Sequence, residues 1–465
     1  MQDMNQIDRE HPDFKRQQDM LRMYRDLYVG GSHFRAQAAH YLLRRQKEPL
    51  DVYSERLFRV FYENYIGSII DWYPSTLFRR GASLQFESGD EASRHFLTQF
   101  TDDCDLRGTS LSEFLRQCLS EALVAGRSHI LLDFPRVQKP PANRAEEDAA
   151  GISRAYLVCY RAEDLINWSL DERGEYEWVV LRKSIRRQPR VDSPKEVEET
   201  YWYYFDKSSY RIYRRVEDSK DDNAPISLIA QGSHALVLQQ KVPLFTLETS
   251  DSLWLMNKAA HLQLEHFNKS NALSWAITMG LFAMPVIYSE REWSQIVGES
   301  YYIQLGPQDR FGWTEPDGKV YQIAASNLET LKEEIYRVCY LSQASGETQG
   351  GRAQSALSKQ LDFTITREIL QAYGTVIKQC AKKILSALLE ARGDHATFSI
   401  SGLDEVDIAD FGTELEQASA LLKLGVNSPT LKRLMFQRLA FKYLNDLPQE
   451  SKEVIAREID AQIKS

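Results

Sequence analysis

The stretch that decides the fold runs from Ser250 to Pro285 and reads SDSLWLMNKAAHLQLEHFNKSNALSWAITMGLFAMP. Ser250, Asp251 and Ser252 supply side-chain oxygens suited to capping a helix start, and neither Pro nor Gly interrupts Leu253 to Met279. Gly280 then weakens the helix and Pro285 stops it. At about 1.5 Å per residue such a helix is on the order of 40 Å long, well beyond the common globular length.

Downstream, a compact insert follows. Val286-Ile287-Tyr288 and Tyr301-Tyr302-Ile303 read as strands, with Gly306-Pro307 and Pro316-Asp317-Gly318-Lys319 as turns. A second helix is predicted from Ser326, three residues before Glu329 as in a capping box, with an apolar stripe at Leu328, Leu331, Ile335, Val338 and Leu341. Ser345 to Leu361 breaks into Gly346, Gly350, Gly351 and small polar residues. A third long helix is predicted from Thr364 to Ala391, then a short strand at Thr397 to Ser401 and an all-helical tail. The order is therefore helix, small insert, helix, glycine-rich loop, long helix.

Upstream, Phe14 to Leu123 is mainly helical: Leu57, Val60, Phe61, Asn64, Tyr65 and Ile69 recur at helical spacing, as do Leu111, Leu115, Leu119 and Leu123. Ile130-Leu131-Leu132 reads as a short buried strand, and Lys139 to Gly151 as an exposed loop. Tyr156-Leu157-Val158, Tyr176 to Leu181, Tyr201 to Phe205 and Tyr210 to Arg214 are rich in β-branched and aromatic residues, which predicts a meander of antiparallel hairpins. Arg186 to Glu199 and Glu217 to Pro225 read as loops on its edge. The fold class is α+β.

The formal charge is −9, from 57 Lys+Arg against 66 Asp+Glu, which argues against tight, sequence-specific DNA binding because phosphate neutralisation supplies most of that affinity. Cys104, Cys118, Cys159, Cys339 and Cys380 form no CxxC pair and read as reduced, mostly buried thiols. The polar, acidic residues Met1 to Glu10 do not resemble a signal peptide, and the apolar runs are too short to span a bilayer.

No GxxxxGK[ST] loop, GxGxxG turn, GxSxG elbow or HExxH helix occurs, so no catalytic, cofactor or metal residues are assigned and no enzyme is expected. Gly346 to Gly351 lacks the Lys that would reach phosphates. His261 and His266 are five apart on one helix and point to diverging faces, which does not suit a shared metal. Pro316-Asp317-Gly318-Lys319 reads as a turn in preference to a nuclease carboxylate-lysine set. Arg44-Arg45 and Arg79-Arg80 read as solvated pairs, or as bridges between subunits in an oligomer.

Several strings, taken in order, resemble the portal protein family of tailed bacteriophages. They are Tyr41-Leu42-Leu43-Arg44-Arg45 with Tyr53 and Arg56-Leu57, Leu77-Phe78-Arg79-Arg80, Gly126 to Pro135, Leu262 to Asn268, and Phe311-Gly312-Trp313 with Glu315 to Lys319. The resemblance implies a helical and β-meander wing at 1–251 and stem helices at 252–284 and 320–344. It places a small α/β clip at 285–319 and a tunnel loop at 345–363. A helix and strand returning to the wing fall at 364–410, and a helical crown at 411–465. It further implies a ring of twelve subunits at one capsid vertex, a component of the virion put together in the host cytoplasm. Such a ring passes double-stranded DNA non-specifically and meets capsid and scaffold proteins, terminase, and then adaptor proteins, with no cofactor and no membrane.

Within that layout, Trp293, Tyr301, Tyr302, Phe311 and Trp313 exceed what a small insert needs for its own core and are expected to be interface anchors. Arg352 and Lys359, the basic residues of the glycine-rich loop, are expected to touch DNA phosphates weakly. An acidic channel lining would limit sticking of DNA. The alternatives are a nucleic-acid-processing enzyme with an unrecognised carboxylate site and a minor capsid protein without a channel.

Overall fold

The computed structural model describes residues 6–80, 82–89, 91–135, 155–188, 196–217, 225–280, 284–288, 308, 310–314, 318–341, 356–394, 396–403, 419–420, 428–443 and 449–464. Helices α1 (Pro12–Val29), α2 (Gly31–Gln37), α3 (Leu50–Phe58) and α4 (Tyr65–Leu77) lead to strand β1 (Ser83–Gly89), then α5 (Glu91–Asp102) and α6 (Leu111–Ala125). Strands β2 (Arg127–Asp133), β3 (Tyr156–Arg161), β4 (Leu165–Leu170), β5 (Tyr176–Arg187), β6 (Val197–Asp206), β7 (Tyr210–Glu217), β8 (Ser227–Gly232) and β9 (Leu244–Glu248) follow. Then come α7 (Leu255–Gly280), β10 (Met284–Tyr288), β11 (Arg310–Thr314), α8 (Gly318–Val338), α9 (Ala356–Arg392), β12 (Ala396–Ser401), α10 (Pro429–Tyr443) and α11 (Gln449–Lys464). Helix and sheet are mixed, as the residue patterns predict.

The chain forms two compact units, one of residues 1–25, 70–257 and 352–465, the other of residues 26–69 and 258–351. In the first, β4 to β8 form the expected antiparallel meander, with Trp178 to Arg187 paired against Asp206 to Val197 without interruption. Its strands exceed the prediction: Arg186 and Val197 to Glu199 belong to β5 and β6, not to loops. Tyr156-Leu157-Val158 is a strand but not part of the meander. It pairs with β2 in a separate sheet of order β3-β2-β9. Every residue of β2 after Arg127 is buried, so β2 needs a partner on each side, a demand that the local pattern of β3 does not reveal. One face of the meander (Val179, Leu181, Phe205) packs with Leu131, Tyr160 and Leu244 of that sheet, and the other (Val180, Trp202, Tyr213) buries Ile7 and Phe14. β12 is the strand predicted at Thr397 to Ser401, and it pairs with β1, which lies in a region predicted as helical.

α6 ends where Gly126 takes φ +80, and a Cβ there would stand 3.1 Å from the Trp254 ring. Trp254 Nε1 donates to Val124 O at 3.0 Å, and Thr249 donates to Gly126 O from both N (2.9 Å) and Oγ1 (3.0 Å). The Gly126 to Pro135 string is therefore a helix-to-strand joint, and its role is packing.

His129 within it is fully buried. One ring nitrogen, Nδ1, meets Thr246 Oγ1 at 3.0 Å, and Nε2 has no partner among the described residues. Burial, with a smaller push from Arg127, lowers its pKa to about 3. An unfolded histidine takes up a proton near pH 6.5. Below that, the unfolded chain binds a proton that native His129 refuses, so stability falls as pH drops, by about 1.4 kcal/mol per pH unit. Urea unfolding at pH 6 and pH 5 should show this loss in the parent and a shallower one in His129→Gln; parallel losses would dismiss it.

The other unit corrects three expectations. The run Leu57 to Ile69 is not one helix: α3 ends at Phe58, and Asn64 Oδ1 accepts from Gly67 N at 2.9 Å to cap α4 afresh. α8 starts at Gly318 and not at Ser326, which lies inside the helix and accepts from Thr330 Oγ1 at 3.0 Å. Residues 310–314, given no element of their own within the expected strand-and-turn insert, form β11 against β10. A fourth correction lies in the first unit. Residues 356–363, assigned to the glycine-rich loop, open α9, because Ala356, Leu357, Lys359, Gln360 and Leu361 all favour helix and no glycine follows Gly351 until Gly374.

Cys104, Cys118, Cys339 and Cys380 are buried, Cys159 is half-buried, and none of the five is in a disulfide, as expected. Burial pushes the Cys339 and Cys380 thiols up to about 12, which leaves them inert.

Candidate functional site

The helix–insert–helix order deciphered from the sequence is present. α7 and α8 run antiparallel, and three side-chain contacts step along both: Tyr321 OH donates to Ala276 O at 3.2 Å, Lys269 Nζ to Asn327 Oδ1 at 2.9 Å, and Lys258 Nζ to Tyr340 OH. Each step back along α7 is matched by a similar step forward along α8. Between them lies the β10–β11 pair, with Pro285 opposite Trp313 and Ile287 opposite Phe311.

Another face of α7 is held by two buried polar residues, Gln263 and Asn271, and the half-buried Asn268. Gln263 accepts from Ile66 N at 3.2 Å and donates to Glu63 O at 2.8 Å. Asn268 accepts from Leu43 N at 2.9 Å and donates to Tyr41 O at 3.1 Å. Asn271 does the same for Phe61, at 3.1 and 2.9 Å. Phe267 meets Phe34 edge-on at 5.0 Å. Two of the strings that carry the resemblance, Tyr41 to Arg45 and Leu262 to Asn268, are thus in direct contact. Their amides satisfy the open backbone of the loop segments before α3 and α4.

Arg44 donates to Glu48 O from Nε (3.2 Å) and from the guanidinium tip (2.7 Å), and Arg45 N donates to Glu48 Oε2 at 3.1 Å. Arg56 donates to Glu48 Oε1 at 2.8 Å and Oε2 at 2.7 Å, with both side chains almost inaccessible. Burial alone would raise the Glu48 carboxyl, but the bonds from Arg56 and Arg45 and their charges hold it below the usual range. Glu48 carries no sequence signature, and only its distance to Arg56 reveals it.

The histidines diverge as expected: His261 is exposed, whereas His266 is buried, 3.6 Å from Glu63 and edge-on to Tyr65. Burial lowers the His266 pKa despite Glu63 and Glu329 nearby. Among the described residues no His, Cys, Asp or Glu group could hold a metal ion. A shallow pocket beside Arg56, Arg59, Asn271, Ser274, Trp275 and Thr278 measures about 20 Å³, room for one water and not for a substrate.

Trp293, Tyr301, Tyr302 and Arg352 lie outside the described residues, as do the side chains of Phe311, Trp313 and Lys359. Phe311 and Trp313 are placed on β11, and Lys359 in the first turns of α9. The described residues around the strand pair expose Ile277 (44%), Tyr288 (66%), Val320 (63%) and Ile323 (70%). Four accessible apolar side chains at the insert-bearing end of one helix pair are a feature that periodicity alone did not reveal. Among the described residues no helix is long and apolar enough to cross a membrane.

No family model matches the chain, and no curated protein matches it. Among solved structures, it is similar to a chain of the neck of an empty gene transfer agent particle computed with C6 symmetry. That likeness has 12% identity and a TM-score of 0.44 over 85% of this chain and 95% of that one. It is also similar to a chain of the virion of the native gene transfer agent particle, with 13% identity and a TM-score of 0.39 over 86% and 96%.

Proposed function

We propose that this chain is the portal subunit of a tailed-phage-like particle, a ring at one capsid vertex through which DNA is packaged and later leaves. The observation that carries this reading is the antiparallel α7–α8 pair with its strand insert, which leaves Ile277, Tyr288, Val320 and Ile323 exposed on the single chain. Apolar surface of that kind is covered when copies stand side by side. In this reading α7 and α8 are the stem, residues 285–319 the clip that seats terminase and then an adaptor, and the two-sheet unit the wing. The protein is not an enzyme, and its contact with double-stranded DNA is non-specific and salt-sensitive.

Light scattering on the protein purified from particles should give about twelve times the monomer mass, with closed rings in electron micrographs. Ile323→Lys, placing a charge on the exposed stripe, should dissolve most rings while the chain's circular dichroism is unchanged. A parent that remains monomeric within assembled particles would dismiss the reading.

A further inference from the structure

Within the unit of residues 26–69 and 258–351, α7 is packed on two opposite sides. At about 100° per residue, Lys258, Lys269 and Ala276 fall within about 20° of one another, and Gln263, Phe267, Asn271 and Ser274 lie roughly 140–220° around the helix from them. The first set meets α8. On the second side, Asn271 holds Phe61 just beyond α3, and Asn271 and Ser274 share the small pocket with Arg56 and Arg59. The helices α3 and α8 are therefore the outer layers of this unit, with α7 between them.

Both outer layers turn apolar side chains to solvent. On α3 the buried Arg56 faces inward, and Leu50, Ser54 and Phe58, four apart, face outward. Leu50 is 67% exposed and Phe58 76%. On α8, Tyr321, Leu328, Leu331 and Ile335 face inward, and Lys319, Ile323, Ser326, Thr330 and Glu333 are exposed on the outer side, with Val320 flanking them. A partner protein needs one such face. Two of the same kind on opposite sides of one body fit copies joined head to tail, the arrangement that closes into a ring.

Resting on the ring reading above, we propose that the outer face of α3 in one copy docks on the outer face of α8 in the next. Phe58 then covers Val320 and Ile323. Leu50 lies about 12 Å along α3 from Phe58, and Thr330 about 10 Å along α8 from Ile323, so Leu50 covers the Thr330 methyl. Charge sets the direction. Arg45 and Lys47 are exposed just before α3, and Glu329 and Glu333 are exposed beyond Ile323 on α8. With the two helices antiparallel, the bases meet these acids, whereas a parallel docking would set them beside Lys319. At the other end Arg59 is already tied to Glu55 at 2.9 Å.

The test uses rings from particles assembled with variant chains, treated with a short bismaleimide. A chain with both Phe58→Cys and Ile323→Cys should give a ladder of cross-linked species up to the whole ring. Neither single variant should give one, since four of the five native cysteines are buried. Independently, Lys47→Glu should lower the share of chain found in rings about tenfold, and adding Glu333→Lys should restore it. Rings that yield no ladder from the double variant, or a ladder from a single one, overturn this contact and leave the ring reading standing. So does a Lys47→Glu loss that Glu333→Lys does not repair. A parent that is monomeric in assembled particles overturns both, and the absence of rings tells the two failures apart.

Discussion

Glu48→Ala should destabilise the unit of residues 26–69 and 258–351 by about 3 kcal/mol, the low end for breaking a buried ion pair. The Glu48 carboxylate accepts two bonds from one Arg56 nitrogen, at 2.8 and 2.7 Å, and a third from Arg45 N at 3.1 Å. Arg56 is 5% exposed at its side chain, and its Nε already lacks a partner among the described residues. Without Glu48 the guanidinium is left buried with its charge uncompensated, and the loop that presents Tyr41 and Leu43 to Asn268 loses its anchor. Urea unfolding followed by tryptophan fluorescence measures the loss. The double change Glu48→Leu with Arg56→Met removes both charges and should recover most of it, because a dry pair of that volume carries no desolvation cost. A loss under about 1 kcal/mol in Glu48→Ala, or no recovery in the double variant, would show that the pair contributes no more than a surface ion pair does.

Gly374→Ala should destabilise the other unit by about 2 kcal/mol, the reverse of what helix propensity gives. Inside a helix, Ala is better than Gly by about 1 kcal/mol, and Gly374 stands in the middle of α9. In the fold, a Cβ on Gly374 would be 2.3 Å from the carbonyl oxygen of Leu403, itself fully buried. The obstacle is backbone that follows directly on β12, so it cannot rotate away, and overpacking typically costs about 1–3 kcal/mol, occasionally more. Thermal unfolding of Gly374→Ala beside Thr375→Ala, an exposed neighbour whose hydroxyl donates to Gln371 O, separates the two effects. If Gly374→Ala were as stable as the parent or more so, the close approach of residue 403 would have to be slack.

The sequence by itself determined the local elements whose signals are periodic. The long helix after Ser252, the insert, the second helix, the buried strand at Ile130 to Leu132 and the aromatic strands all occur close to where residue spacing puts them. It also determined the divergence of His261 and His266, since five residues along a helix cannot share a face. Boundaries failed where a cap or a turn competed with a nearby alternative. Ser326 with Glu329 makes a plausible start, yet α8 begins two turns earlier, because Tyr321 reaches Ala276 and extends the pairing with α7. Of the site expected from sequence, Phe311, Trp313 and Lys359 are placed by their backbone, and the other residues lie outside the described ones.

Only the tertiary structure decided which strand neighbours which and which polar residues carry weight. Tyr156 to Arg161 has the composition of the meander but joins β2, because hydrogen bonding across a sheet is chosen by burial on both sides and not by the strand's own pattern. Gln263, Asn268 and Asn271 look like ordinary helix-surface amides until the chain folds the loops at 41–43 and 61–66 against them. Glu48 and Gly374 are likewise silent in the sequence. Their importance comes from contacts eight and twenty-nine residues away, and periodicity records the face a residue occupies, not the partner that closes over it.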